Sequence, residues 1–154
     1  MGSFSISLKG RALKLLAARE HSRAELQRKL APHETEPGEL ARALDELQSK
    51  GFIDEQRVID SVLHRRASRL GASRVRQELQ AKGLDPQAVA NAVAALKDTE
   101  LARAHDVWRR KFGRAPGDAV EQARQMRFLL TRGFGAETVR RVVRGTAVTD
   151  DGAD

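Results

Sequence analysis

The chain has 154 residues, enough for one ordinary domain or for a row of small units. Its formal charge is +7, and it rises to +10 once the three terminal aspartates Asp150, Asp151 and Asp154 are set aside, so acidic partners are favoured. The chain has no cysteine and no apolar run near the roughly 20 residues that cross a bilayer, which excludes disulfides, thiolate metal sites and membrane-spanning helices.

The first third of the sequence predicts three helices. Apolar residues at helical spacing indicate the first over about residues 7–21. Ser22 and Glu25 have the S-x-x-E spacing of a capping box and predict the start of the second. Pro37 suits the first turn of a third helix, which we expect to end at Gly51.

The middle third predicts three more helices. Asp54 can cap the fourth, which we expect to run to a stop at Gly71. A fifth, shorter helix then leads to Gly83, and Asp85 with Pro86 begins the sixth. The apolar positions of the fourth helix share one face: Val58, Ile59, Val62, Leu63, Ala67 and Leu70.

The last third again reads as three helices, over about residues 99–112, 118–132 and 136–144. Gly133 and Gly145 are the expected stops of the last two.

These thirds are related to one another. Residues 79–93 match 129–143 without a gap, whereas the first third matches more loosely. Helical units of this length bury incomplete cores and depend on their neighbours. A plain helical hairpin can also end in lysine, glycine and an apolar residue, and that alternative leaves the all-α prediction unchanged. The predicted divisions are a flexible N-terminus at 1–7, repeats at 8–51, 52–97 and 98–145, and an acidic disordered tail at 146–154.

Catalytic and metal-binding patterns are missing from the sequence. The four histidines are scattered, there is no H-E-x-x-H, and there is no glycine-rich phosphate loop. His105 reads as a half-buried residue beside Trp108. We therefore expect no enzyme, no cofactor and no metal.

Two stretches carry a resemblance to a known family. The first is G-F-I-D-E from Gly51 with R-R-x-x-R-L-G-x-x-R-V-R-Q-E-L-x-x-K-G-L from Arg65, and the second is F-L-L-x-R-G-F over 128–134. Together they resemble the RecX family of bacterial regulators of the RecA recombinase, over roughly residues 8–144. The matching positions are Gly51, Phe52, Asp54, Arg65, Gly71, Arg74, Val75, Glu78, Leu79, Lys82, Gly83, Phe128, Leu129, Leu130, Arg132, Gly133 and Phe134. One departure is phenylalanine at Phe52 and Phe134, where many relatives have tyrosine.

The resemblance implies three tandem three-helix repeats in an elongated, curved array that lodges in the helical groove of the RecA–DNA filament. It also implies inhibition of RecA ATP hydrolysis, strand exchange and co-protease activity, and thereby control of DNA repair and the SOS response. We expect a cytoplasmic monomer without membrane contact that binds single- or double-stranded DNA weakly at most. A non-specific nucleic-acid-binding module of the helix-turn-helix type is the alternative.

The matching residues divide into scaffold and binding candidates. Glycines at the family positions are expected to be helix stops, and Phe52, Leu79, Leu129, Leu130 and Phe134 are expected in the core. Basic residues off the apolar stripes are the candidates for contact with carboxylates or phosphates. They are Arg65, Arg66, Arg69, Arg74, Arg76, Lys82, Arg109, Arg110, Lys111 and Arg132.

Overall fold

The computed structural model describes residues 5–150, and side chains through Gly145. Within this part of the chain nine α-helices form, and no strand. They are α1 (Leu8–Ala18), α2 (Arg23–Leu30), α3 (Glu39–Ser49), α4 (Glu55–Arg66), α5 (Ala72–Ala81), α6 (Pro86–Lys97), α7 (Glu100–Lys111), α8 (Ala119–Thr131) and α9 (Ala136–Asp150). A turn of 3₁₀ helix at Ala31–His33 follows α2. The all-α prediction is confirmed.

Three separate cores hold these helices together. Helices α1–α3 surround one centred on Leu26 and Leu44, α4–α6 surround one centred on Val75 and Val93, and α7–α9 surround a third that contains Trp108. Each unit is thus a three-helix repeat, as predicted. The accessible surface is 9896 Å², whereas a compact monomer of this mass exposes about 7,700 Å². The excess fits a row of repeats better than one closed globule.

The predicted start and stop signals act as local chemistry requires. Ser22 and Glu25 form both bonds of the capping box, each at 3.1 Å. Gly51, Gly83 and Gly133 follow α3, α5 and α8 with φ of 82°, 66° and 92°, the left-handed region in which side chains other than glycine's are strained. These three glycines are helix stops, as predicted.

Gly71 is not a helix stop, contrary to the prediction. Helix α4 ends at Arg66, and Gly71 is the N-cap of α5 with an ordinary φ of −77°. The carbonyls of Ala67 and Leu70, which follow α4, accept hydrogen bonds from Arg103 of the third repeat at 2.8 and 2.7 Å. A residue from another repeat therefore satisfies the end of this helix.

Three side chains predicted to be buried or half-buried are exposed. Phe52 and Leu130 were expected in the core, yet they are 47% and 46% exposed. His105 packs its ring 5.7 Å from that of Trp108 but lies on the surface. Phe52 lies in the turn after α3, Leu130 is on the outer face of α8 and His105 is on the outer face of α7, so helical spacing alone misjudged their burial.

Two helix ends also differ from the prediction. Helix α3 begins at Glu39 after a left-handed Gly38, so Pro37 lies in the preceding turn. Helix α9 continues through Gly145 to Asp150, so its predicted end is wrong and the predicted tail starts inside a helix. The last four residues, 151–154, lie outside the described part.

The repeats meet through their second helices. The start of α2 contacts the end of α5, and the start of α5 contacts the end of α8. At both junctions the N-cap of one second helix bonds to the carbonyl at the end of the second helix in the following repeat. Backbone groups left unpaired at the helix ends of one repeat are therefore satisfied by another repeat. At the two outer ends this chemistry changes, because α2 runs into the 3₁₀ turn and the Asp118 side chain caps α8.

Candidate partner-binding surface

The junction of the first and second repeats is polar and charged. The Ser22 hydroxyl donates to the Lys82 carbonyl oxygen at 2.5 Å. Glu25, one turn into α2, accepts from Arg19 at 2.8 Å and pairs with the Lys82 ammonium at 3.3 Å. The Glu25 and Lys82 side chains are only 9% and 13% exposed. Lys82, predicted as a partner-binding residue, is therefore committed to this junction.

Two groups at this junction have shifted pKa values. Burial opposes ionisation of Glu25, but hydrogen bonds from Arg19 and the Ser22 backbone N–H, with the charge of Lys82, outweigh it and lower its pKa to about 2. Burial lowers the pKa of His21 below its ordinary value, and the nearby charges of Arg19 and Lys29 act in the same direction. Protonation of Glu25 and His21 at low pH therefore destabilises the junction of the first and second repeats.

The junction of the second and third repeats is built on backbone contact. The Gly71 N–H donates to the Arg132 carbonyl oxygen at 2.8 Å, and the Arg74 guanidinium donates to the Thr131 carbonyl oxygen at 2.9 Å. A Cβ on Gly71 would come within 2.4 Å of the backbone of Gly133 and Phe134. The two repeats approach so closely here that no side chain fits between them.

A cationic groove opens beside this second junction. Two adjoining hollows of about 260 and 730 Å³ share Phe128 and Arg132 in their walls. We call them together the junction groove. Within the described part of the chain no acidic side chain lines either hollow, whereas seven basic ones do: Arg69, Arg74, Arg110, Lys111, Arg124, Arg127 and Arg132.

Phe128 holds two of these cations in place. The Arg132 guanidinium lies 4.9 Å and the Lys111 ammonium 5.4 Å from the centre of its ring. Phe112 meets the same ring edge-on at 5.5 Å and carries Arg124 at 6.0 Å from its own ring centre. Cation–π attraction thus positions several charges in the groove before any partner arrives.

The structure separates the predicted binding residues into two groups. Five of the ten line the junction groove: Arg69, Arg74, Arg110, Lys111 and Arg132. The other five lie outside its walls: Arg65, Arg66, Arg76, Lys82 and Arg109. Arg66 pairs with Glu78 at 3.4 Å. The junction groove is therefore formed by residues of two repeats that lie close together in space, and not by the residues of one helix.

Sequence reasoning missed Arg124 and Arg127 of α8 and the role of Phe128. These residues and Thr131 recur at the three- and four-residue spacing that places side chains on one helix face. A search for polar as well as apolar stripes would have found that face. No pattern in the sequence predicts that this face lies opposite Arg69 and Arg74 of the second repeat.

Other kinds of site are not seen among the described residues. They contain no group of three histidines, aspartates or glutamates placed to hold a metal ion. No helix in the same part of the chain is long and apolar enough to cross a membrane.

The fold and the groove define a class: a helical-repeat protein with a cationic surface formed where two repeats meet. Comparison with known proteins makes this specific. Models of the first, second and third three-helix domains of RecX match residues 9–47, 54–93 and 98–143. The chain belongs to the RecX family of regulatory proteins.

Individual relatives agree with this assignment. The chain is 58% identical to the regulatory protein RecX of Leptothrix cholodnii, over 90% of this chain and 88% of that one. It is 47% identical to that of Ralstonia nicotianae, over 96% and 93% of the two chains. The crystal structure of RecX from Lactobacillus salivarius has the same fold, with a TM-score of 0.77 at 16% identity, over 92% of this chain and 95% of that one.

Proposed function

We propose that this protein binds the RecA–DNA filament in its helical groove, in the cytoplasm, and inhibits RecA ATP hydrolysis, strand exchange and co-protease activity. DNA repair and the SOS response would thereby be restrained. Membership of a family of regulatory proteins supports the regulatory part. The junction groove supports the mode of binding, because it gathers seven cations without a lining carboxylate among the described residues.

The direct test removes charge from the groove and leaves the scaffold alone. Arg69, Arg124 and Arg127 line the groove and are exposed, so changing all three to alanine should cost little stability, under about 0.5 kcal/mol each. Inhibition of DNA-dependent ATP hydrolysis by RecA should fall strongly. The matched control changes Arg65, Arg76 and Arg109, which are exposed but lie outside the groove walls, and should keep inhibition near the wild-type level.

Salt separates filament binding from the alternative of plain nucleic-acid binding, which the same cations also fit. Contacts to phosphates release counterions, so affinity for single strands falls with a slope of about −0.7 per neutralised charge. We expect the wild type to inhibit RecA at salt concentrations where its binding to naked DNA has vanished. If inhibition and naked-DNA binding disappear along one salt curve, the protein acts by competing for DNA and the filament proposal is wrong.

A further inference from the structure

The junction groove combines its charge with an apolar floor. Leu70 and Phe128 are half-buried in it, and Val120 at its edge is 77% exposed, the largest value among the exposed large apolar side chains of the described residues. Exposed apolar groups beside fixed charges favour a partner that buries both. A phosphate backbone by itself would use the cations and leave these groups in water.

The aromatic rings of the groove already have partners. Phe128 is engaged by Lys111 and Arg132 and makes a T-shaped contact with Phe112 behind it, which in turn carries Arg124. Single-stranded nucleic acid is normally held by bases that stack on free aromatic faces. Here the rings orient cations instead, so base stacking gains little from them.

The cations are also held before a partner binds. Arg110 donates to the Ser68 carbonyl oxygen at 3.1 Å and Arg74 to that of Thr131 at 2.9 Å, which ties both side chains to the backbone. Ordering flexible arginines on binding normally costs affinity, and these are already ordered. Guanidinium groups in fixed positions suit the planar fork of a carboxylate.

From these three features we infer that the junction groove docks an acidic polypeptide segment that also carries apolar side chains. Its carboxylates meet the arginines, and its apolar side chains cover Val120, Leu70 and the edge of Phe128. The inference rests on the proposed function in that both use this groove, and it names the chemistry of the partner segment. Nucleic acid is the competing outcome of the test.

The test uses the full chain and three fluorescently labelled probes matched for length and net charge. One is a peptide of aspartate and leucine, the second replaces each leucine with serine, and the third is a single-stranded oligonucleotide. Fluorescence anisotropy should show the leucine peptide binding roughly tenfold more tightly than the serine peptide, because only the first buries apolar surface. The oligonucleotide should bind no better than the serine peptide.

Two variants locate the effect. Val120→Ser should remove most of the preference for the leucine peptide without changing charge, whereas Leu101→Ser, at another exposed apolar position, should preserve it. Arg124→Ala with Arg127→Ala should weaken all three probes. Circular dichroism confirms that each variant is folded.

Equal affinity for the two peptides, tighter binding of the oligonucleotide, or an unchanged preference in Val120→Ser would each overturn the inference. These outcomes are independent of the proposed function. A protein that inhibits RecA but shows no peptide preference keeps its proposed function and loses this docking surface. One that prefers the leucine peptide but fails to inhibit RecA keeps the surface and loses the function.

Discussion

The two junctions between repeats have the same geometry and different chemistry. Ser22 and Gly71 occupy equivalent positions, since each is the N-cap of the second helix of its repeat. Ser22 bonds to the carbonyl of Lys82 at the end of α5, and Gly71 bonds to the carbonyl of Arg132 at the end of α8. In the first junction a hydroxyl makes that bond and a nearly buried carboxylate supports it. The second uses the backbone N–H and direct backbone packing, and arginines of each repeat donate to carbonyl oxygens of the other. One architecture can therefore be stabilised by a largely buried ion pair or by close backbone approach, with different sensitivities to mutation and acid.

The largest effect is expected at the second junction. Gly71→Ala places a methyl group within 2.4 Å of the Gly133 and Phe134 backbone, and backbone cannot move aside as a flexible side chain can. We expect a loss of about 3 kcal/mol in the free energy of unfolding, measured by chemical denaturation. By small-angle scattering we expect the wild-type radius of gyration to exceed the roughly 15 Å of a compact chain and that of the variant to rise further as the repeats separate.

The control for Gly71→Ala is Gly135→Ala. An added Cβ at Gly135 meets nothing within 4 Å, and its φ is not positive. It should be nearly neutral. Equal losses in the two variants would show that the close approach of the second and third repeats does not exist in solution.

The next effect is pH dependence at the first junction. Glu25 has a folded-state pKa of about 2 against an ordinary 4.5, so its contribution is fully present above pH 4.5 and is lost as the pH falls towards 2. Glu25→Gln should remove at most about 3 kcal/mol at neutral pH and flatten the acid branch of the stability curve. Denaturant unfolding at a series of pH values measures both.

Glu46→Gln is the matched comparison for Glu25. The pKa of Glu46 is also lowered to about 2, by hydrogen bonds from Lys9 and Lys50, but this side chain is 44% exposed. Water screens such pairs, so its loss should matter less than that of Glu25. If the free energy of unfolding depends on pH in the same way in both variants, burial at the junction adds nothing to the contribution of Glu25.

The smallest effect compares the same residue at the two equivalent positions. Ser22→Ala removes the side-chain oxygen that caps α2 and bonds to Lys82, but it introduces no collision. We expect a loss of about 1 kcal/mol, typical of an N-cap serine, and so clearly less than that of Gly71→Ala. Thermal and chemical unfolding should rank the two variants in this order, and the reverse order would show that both junctions depend on hydrogen bonding alone.

Local signals in the sequence determined much of this protein. The capping box at Ser22 and the aspartate caps at Asp54 and Asp85 predicted where three helices begin. Glycines after lysine or arginine predicted three helix ends. These signals act within a few residues, since a cap bonds to its own helix, and they can therefore be read without knowledge of the fold. The motif resemblance then placed the chain in its family.

Tertiary structure decided what depends on distant residues. Arg103 satisfies the carbonyls after α4, so the end of that helix was misread, and Gly71 is glycine because Gly133 of another repeat lies against it. Lys82 looked like a surface cation, but its side chain is only 13% exposed where it pairs with Glu25. The binding surface itself joins Arg69 to Arg124, which lie in different repeats. Charge and periodicity along the chain specify which residues a helix exposes, but only the packing of one repeat on the next determines which exposed residues meet.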